Sequence, residues 1–166
     1  MTHPSPYRGR LPLLLILATA LLAGSARADG FRRFALFVGN NDGGAGTRKL
    51  RFAHDDAERI LEVLTRVGGL AREDAVLLRE KRADDLRRAL DRLEARIAQA
   101  AAHGQRAVLF VYYSGHAKDG ALRLGDSIVT LDEIRRRIAS SSAEVRLALF
   151  DSCRSGTVTR TKGVRR

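Results

Sequence analysis

One cysteine and one histidine are the residues whose types and surroundings could do chemistry together. Cys153 is the only cysteine among the 166 residues, and it lies in the polar segment 151–156, DSCRSG. His116 lies in the segment 112–117, YYSGHA, where it is also flanked by small residues. Each segment directly follows a short apolar run.

A thiol becomes a strong nucleophile only as the thiolate. A histidine within hydrogen-bond reach can take the thiol proton and later give it to a leaving amine. Backbone N–H groups in a tight, small-residue loop can stabilise the oxyanion that forms in between. The residues alone leave two alternatives open, a buried and inert Cys153 and an ordinary loop histidine at position 116.

The elements that must position this pair alternate between strands and helices. Apolar runs at 34–38, 75–78, 107–113 and 145–150 predict buried strands, and residues 120–129 predict a hairpin around Gly125. Helical spacing of apolar residues predicts helices from about 55 to 67, 86 to 104 and 131 to 138. The order predicts an α/β fold with a mostly parallel sheet between two helical layers. Ligands of such sheets bind beyond the carboxyl ends of the strands, where His116 and Cys153 both fall.

Capping signals define two of the helix starts. Asp55 is the predicted N-cap of the first helix, with Glu58 three residues later in a capping-box pattern. Thr130 and Glu133 repeat that pattern before the last helix. Gly68 and the glycine after it predict the end of the first helix.

The two polar segments resemble the histidine and cysteine motifs of the caspase and metacaspase peptidases, the peptidase C14 clan. The cysteine segment has the form that metacaspases carry, and the resemblance covers about residues 31–156. It implies a caspase-like three-layer sandwich in which the first four strands have the spatial order 2-1-3-4. The family's domain continues for two further strands and a helix, so the resemblance implies that the last strands are missing here. A further small-subunit region would then be a partner of this chain.

The resemblance also assigns roles to individual residues. It implies that Cys153 is the nucleophile and His116 the base, with the backbone N–H groups of Ala117 and Cys153 in the oxyanion hole. The usual glycine is replaced by alanine at position 117. Asp56 and Asp151 match acids of the primary specificity pocket, and two carboxylates there favour Arg or Lys before the scissile bond. The alternative for Asp56 is a helix-terminus effect, because an acid is favourable in any first helical turn.

The resemblance and the residues also bear on cofactors. Many metacaspases depend on calcium, and this expectation extends to the chain without assigning residues to a site. The four histidines do not have the spacing of a zinc site, and the glycine-rich stretch after the first strand lacks the Lys-Ser/Thr of a phosphate-binding loop.

The first 28 residues have the pattern of a secretory signal peptide. A basic start precedes an apolar run of about a dozen residues and a small-x-small cleavage pattern that ends at Ala28. The alternative is a retained membrane anchor, which the shortness of the run disfavours. The predicted organisation is therefore a signal peptide at 1–28, a caspase-like p20 catalytic domain at 29–158 and a basic tail at 159–166, in an exported protein that is periplasmic or secreted.

The strong positive charge allows a competing function. Net charge is +11, of which the signal segment supplies three, so +8 remains. No aromatic residues are interleaved with the basic ones as a stacking surface for bases requires, so no specific nucleic acid is predicted. Three hypotheses follow: a cysteine endopeptidase that acts on peptides with basic residues, a truncated or pseudoenzyme interaction module, and a binder of nucleic acid or acidic polymers. The tail at 159–166 is either a self-cleavage site or a solvated terminus.

Overall fold

Four parallel strands form the central sheet of the computed structural model, which describes residues 30–152. The strands are β1 (Phe31–Gly39), β2 (Ala75–Arg79), β3 (Arg106–Ser114) and β7 (Val145–Asp151), in the order β2-β1-β3-β7. This confirms the predicted order 2-1-3-4, with β7 as the fourth strand of the sheet. The predicted signal peptide, Cys153 and the basic tail lie outside the described residues.

A small antiparallel sheet extends from the end of β3. It consists of β4 (His116–Lys118), β5 (Ala121–Leu124) and β6 (Ser127–Thr130), in that spatial order. The predicted hairpin at 120–129 corresponds to β5 and β6. The sequence did not predict β4, because three residues are too few to show the alternation of a strand.

Helices cover both faces of the central sheet. Helix α1 (Ala53–Arg66) packs on one face against Ala35 and Phe37. Helices α2 (Ala83–Ala102) and α3 (Leu131–Ala139) pack with the small sheet on the other face, and a short 3-10 helix spans Arg72–Asp74. Truncating a fully buried leucine in such a core costs about 2–5 kcal/mol. None of the helices within residues 30–152 is long and apolar enough to cross a membrane.

One capping prediction was wrong and another was half right. Helix α1 begins at Ala53, so Asp55 is not its N-cap but an exposed residue of the first turn. The side chain of Asn41 accepts a hydrogen bond from the Ala53 N–H at 2.9 Å, so a residue twelve positions earlier satisfies the helix start. Thr130 does cap α3, since its hydroxyl accepts from the Glu133 N–H at 3.1 Å. The Glu133 carboxylate does not complete the box, because Arg87 of α2 binds both of its oxygens, at 2.7 and 2.9 Å.

The strand β7 is incompletely covered. Among residues 30–152 it pairs on one side only, with β3. Its alternate side chains Val145, Leu147 and Leu149 are 37%, 53% and 50% exposed. An apolar row on a strand with a free edge is a surface on which another polypeptide can pair or pack.

A buried aspartate ties β1 to α2 at the amino ends of the strands. The Asp74 side chain is 3% exposed and accepts two hydrogen bonds from Arg32, at 2.7 and 2.8 Å. Arg96 of α2 also binds Asp74, and it donates to the Glu73 carbonyl oxygen at 2.7 Å. The hydrogen bond with Asp74 raises the pKa of Arg32, and its guanidinium lies 4.9 Å from the Phe34 ring centre.

We expect Arg32→Met to lower the free energy of unfolding by about 1.5–3 kcal/mol, because it removes two hydrogen bonds from a buried charged group. Urea unfolding of the whole chain measures this difference. Arg135→Met is the matched control, since the only ion pair of Arg135 with another described residue is an exposed contact of 3.5 Å with Asp132. Its loss should cost less than about 0.5 kcal/mol. Equal effects of the two substitutions would contradict a special role for Asp74.

Candidate active site

The carboxyl ends of β3 and β7 lie side by side. The two strands pair in parallel register from Val108 opposite Val145 to Ser114 opposite Asp151. The Gly115 N–H then donates to the Asp151 carbonyl oxygen at 3.2 Å. The prediction that the histidine and cysteine segments leave neighbouring strands at one edge of the sheet is therefore confirmed for the strands. Cys153 itself lies beyond Ser152, the last described residue.

His116 presents a buried imidazole nitrogen with no partner in the described part of the chain. It is the first residue of β4, and its Nε2 atom is buried without a hydrogen-bond partner among residues 30–152. Its carbonyl oxygen accepts a hydrogen bond from the Tyr113 hydroxyl at 2.7 Å. The same hydroxyl lies 2.8 Å from the Arg123 carbonyl oxygen, and burial raises the pKa of Tyr113. The backbone of His116 is thus fixed, while its ring retains a free hydrogen-bonding atom.

The loop after β1 forms one wall of the histidine site. A Cβ atom on Gly43 would lie 2.6–2.8 Å from three atoms of the His116 side chain. The loop backbone therefore packs directly against the imidazole, at a distance that only glycine allows. Arg123 of β5 donates to the Gly43 carbonyl oxygen at 2.6 Å, which holds this backbone in place.

Glu80 holds the start of the same loop. Its carboxylate accepts hydrogen bonds from the N–H groups of Asn41 and Asp42, at 3.2 and 3.3 Å. One of its oxygens also lies 3.0 Å from His54 Nε2, although the angles of that contact do not make a hydrogen bond. Glu80 has a φ of 45°, a left-handed conformation that non-glycine residues seldom adopt. We interpret the hydrogen bonds from Glu80 to the loop as the contacts that stabilise this strained backbone conformation.

Asp56, Ser114 and Asp151 meet at the face of the sheet that α1 covers. The Ser114 hydroxyl lies 3.4 Å from Asp56 Oδ2, and Ser114 is the register partner of Asp151. Tyr112 lies two residues earlier on the same face, and its pKa is raised by burial, by the negative charge of Asp151 and by that of Asp56. The hydrogen bond of Ser114 with Asp56 and its register with Asp151 place the two acids predicted for the specificity pocket on the same face of the sheet as Tyr112. The nearest described cation is Arg59, 3.8 Å from Asp56 and 71% exposed.

The predicted oxyanion-hole residue Ala117 has an ordinary backbone. It lies in the middle of β4, opposite Leu122 of β5, and it is half-buried. In the described part of the chain, the non-glycine residues with positive φ are Glu80 and Asp119. The alanine at position 117 therefore has an unstrained backbone conformation.

Three residues of the site were missed as functional residues by sequence reasoning: Ser114, Gly43 and Glu80. Strand alternation could have found Ser114, because it follows Tyr112 by two positions and must share its face. No sequence signal marks Gly43 among six neighbouring loop residues, or Glu80 among the charged residues before α2. Their roles depend on the path of the loop through space.

The described residues do not fit a calcium site. Within residues 30–152 no group of three or more histidine, aspartate or glutamate side chains is placed to hold a metal ion. We therefore assign no step to calcium.

The chain belongs to the caspase-domain family, whose model (Peptidase_C14) matches residues 32–166. This is a family of cysteine peptidases that act on proteins. The fold is similar to that of caspase-1 from Spodoptera frugiperda, with a TM-score of 0.51 and 13% sequence identity over 75% of this chain and 48% of the caspase. This chain thus spans about half the length of that relative. No curated protein matches it significantly by sequence.

Proposed function

We propose that this chain is a cysteine-type endopeptidase that resembles metacaspases and cleaves peptide bonds after Arg or Lys. The observation that supports it most is the register of β3 and β7, which brings the segment of His116 and the segment leading to Cys153 to one edge of the sheet. The buried Nε2 of His116, which has no hydrogen-bond partner among residues 30–152, is the kind of group that a catalytic thiol would engage.

In the proposed reaction His116 takes the proton of Cys153, and the thiolate attacks the scissile carbonyl carbon. The backbone N–H groups of Ala117 and Cys153 stabilise the oxyanion. The imidazolium then protonates the leaving amine, which breaks the C–N bond and leaves a thioester. Water, deprotonated by the same histidine, hydrolyses the thioester and restores the thiol.

The proposed preference for Arg or Lys rests on Asp56 and Asp151. Their carboxylates lie on the same face as Ser114. Among residues 30–152, the only ion pair of Asp56 is the exposed contact with Arg59. A guanidinium or ammonium group entering between them would gain charge-assisted hydrogen bonds. An aspartate side chain would meet two like charges.

We expect Asp56→Asn to lower kcat/KM for a peptide ending in Arg about 10- to 100-fold, since it removes one charged hydrogen bond of the pocket. Asp55→Asn is the matched control, because Asp55 is exposed in the same helical turn. A mere helix-terminus effect would make the two substitutions equivalent in stability and in kcat/KM.

The direct test uses the purified chain under reductant, with and without calcium, on fluorogenic peptides ending in Arg, Lys or Asp. Cleavage after Arg and Lys that disappears in Cys153→Ala is the expected result. Cleavage after Asp but not after Arg or Lys would refute the basic preference. Cleavage that persists in Cys153→Ala would refute the cysteine mechanism.

A second candidate function is an interaction module without activity. The exposed apolar row of β7, with Leu147 and Leu149 about half exposed, favours it. A further small-subunit region, such as the resemblance implies, is the partner that we propose for this row. Failure of every peptide substrate, together with binding at this row, would support the module instead of the enzyme.

We also propose that the protein is exported, on the pattern of residues 1–28. Cell fractionation with N-terminal sequencing tests this proposal. A mature chain that starts at Asp29 outside the cytoplasm is expected, and an intact N-terminus in the cytoplasm would contradict it.

A further inference from the structure

A positively charged pocket adjoins His116. It is an open hollow of about 350 Å³, lined on the side of the loop after β1 by Thr47 and Arg48 and on the side of the small sheet by Lys118 and Arg123, with His116 at its edge. Three of its lining residues are cations, and none is an acid. The pocket therefore carries the opposite charge to the surroundings of Asp56 and Asp151.

The cations of this pocket are available to a ligand to different degrees. Arg123 is held by the carbonyl oxygens of Gly43 and Ala45, at 2.6 and 3.3 Å, so its charge is fixed in place but not neutralised by an acid. Arg48 and Lys118 are exposed. Neither of them makes an ion pair with any residue of the described range 30–152.

The acids closest in sequence to these cations do not line the hollow, and this includes Asp119, which directly follows Lys118 and is exposed. The Asp42 carboxylate accepts a hydrogen bond from the Gly44 N–H at 2.8 Å, which directs it into its own turn. Asp126 lies near Gly44, since one of its oxygens would be 3.2 Å from a Cβ atom there. Neither residue lines the hollow.

The same loop continues the positive charge along the site. After Arg48 it carries Lys49 and Arg51, both exposed, and then Phe52, which is 60% exposed. One end of the loop packs on His116 and the other end leads into α1, where Asp56 lies. A peptide bound at the site would thus meet basic side chains along this wall.

We infer that the pocket of Arg48, Lys118 and Arg123 binds an acidic side chain of the peptide substrate. The inference rests on the proposed function and adds a second determinant to it: a preferred substrate combines Arg or Lys before the scissile bond with Asp or Glu a few residues away. A carboxylate fits because it can accept hydrogen bonds from guanidinium and ammonium groups together. The lining has no Phe, Tyr or Trp residue on which a base could stack, which favours a peptide over a nucleic acid.

The test measures binding to the Cys153→Ala variant of the whole chain, so that it is independent of turnover. Fluorescent peptides contain one Arg and one Asp, with the Asp moved through the three positions on either side of the Arg, and each has a counterpart with Asn. We expect one Asp position to bind about 5- to 30-fold tighter than its Asn counterpart, with the advantage reduced by salt. Arg48→Ser with Lys118→Ser should remove this advantage and leave the affinity for the Asn peptide unchanged.

The matched control is Arg66→Ser with Arg136→Ser, which removes two exposed charges on α1 and α3. An equal loss in this control would assign the effect to overall charge and overturn the inference. Tighter binding of single-stranded DNA that competes with the peptides would overturn it in favour of a nucleic acid. Selective binding of the acidic peptide without any cleavage by the wild type would support the acid-binding pocket and refute the peptidase function. Cleavage without a preference for an acidic peptide would support the peptidase function and refute the acid-binding pocket.

Discussion

His116→Ala should lower kcat/KM for a peptide ending in Arg by at least about a thousandfold, because the thiol of Cys153 loses its proton acceptor and the leaving amine its proton donor. The folded state should lose little stability. The buried Nε2 makes no hydrogen bond to a described residue, so its removal leaves no polar group there without a partner. Activity and thermal unfolding measured on the same preparation separate the two effects.

The control for this substitution is His103→Ala. His103 follows α2, and its Nδ1 atom lies 2.7 Å from the Gln99 carbonyl oxygen, at the end of the sheet opposite the site. Unchanged kcat/KM is expected there. Activity retained by His116→Ala would remove the histidine from the proposed mechanism.

Gly43→Ala should have the second-largest effect, a loss of about 10- to 100-fold that falls on kcat more than on KM. The added methyl group would lie 2.6–2.8 Å from three atoms of the His116 side chain, so the imidazole must move away. A misplacement of about 1 Å at a reacting group can lower the rate about a hundredfold. Gly43 does not have a positive φ, so the backbone itself tolerates alanine and the effect acts through the ring.

Gly46→Ala is the control in the same loop. Position 46 has a φ of 77° but open space around a Cβ atom, so alanine there strains the backbone without touching His116. The NMR signals of the His116 ring should shift in Gly43→Ala and stay in place in Gly46→Ala. A loss of activity in both variants without a shift of the ring signals would assign the loss to the loop rather than to the histidine.

The sequence predicted the central sheet because its strands are apolar on both faces. The predicted strands at 34–38 and 107–113 correspond to β1 and β3. The strands that precede His116 and Cys153 are neighbours in the sheet, as the order 2-1-3-4 predicts. The prediction succeeded because burial on two faces leaves a continuous apolar run. Short-range patterns were enough to predict the strands, whereas their spatial order was implied by the resemblance to the caspase and metacaspase peptidases.

The start of α1 and the walls of the site could not be predicted in the same way. Asp55 had the residue type of an N-cap, but Asn41 supplies the hydrogen bond from across the loop. Glu80 has its role because β2 ends beside the loop after β1, which brings it to Asn41, 39 positions earlier. Gly43 has its role because β3 leads into β4 beside the same loop, which brings it to His116, 73 positions later. Such long-range contacts produce no periodic pattern in the sequence.

The measurement that tests the central claim most directly is covalent labelling of Cys153 by peptidyl chloromethyl ketones, followed by mass spectrometry. The thiolate attacks the methylene carbon and chloride leaves, so the rate reports an activated thiol in a pocket that selects the adjacent residue. We predict fast, single labelling at Cys153 by the reagent ending in Arg, much slower labelling by the one ending in Asp, and loss of the fast reaction in His116→Ala. Labelling that is slow, indifferent to the peptide and unchanged in His116→Ala would contradict a cysteine peptidase with basic specificity.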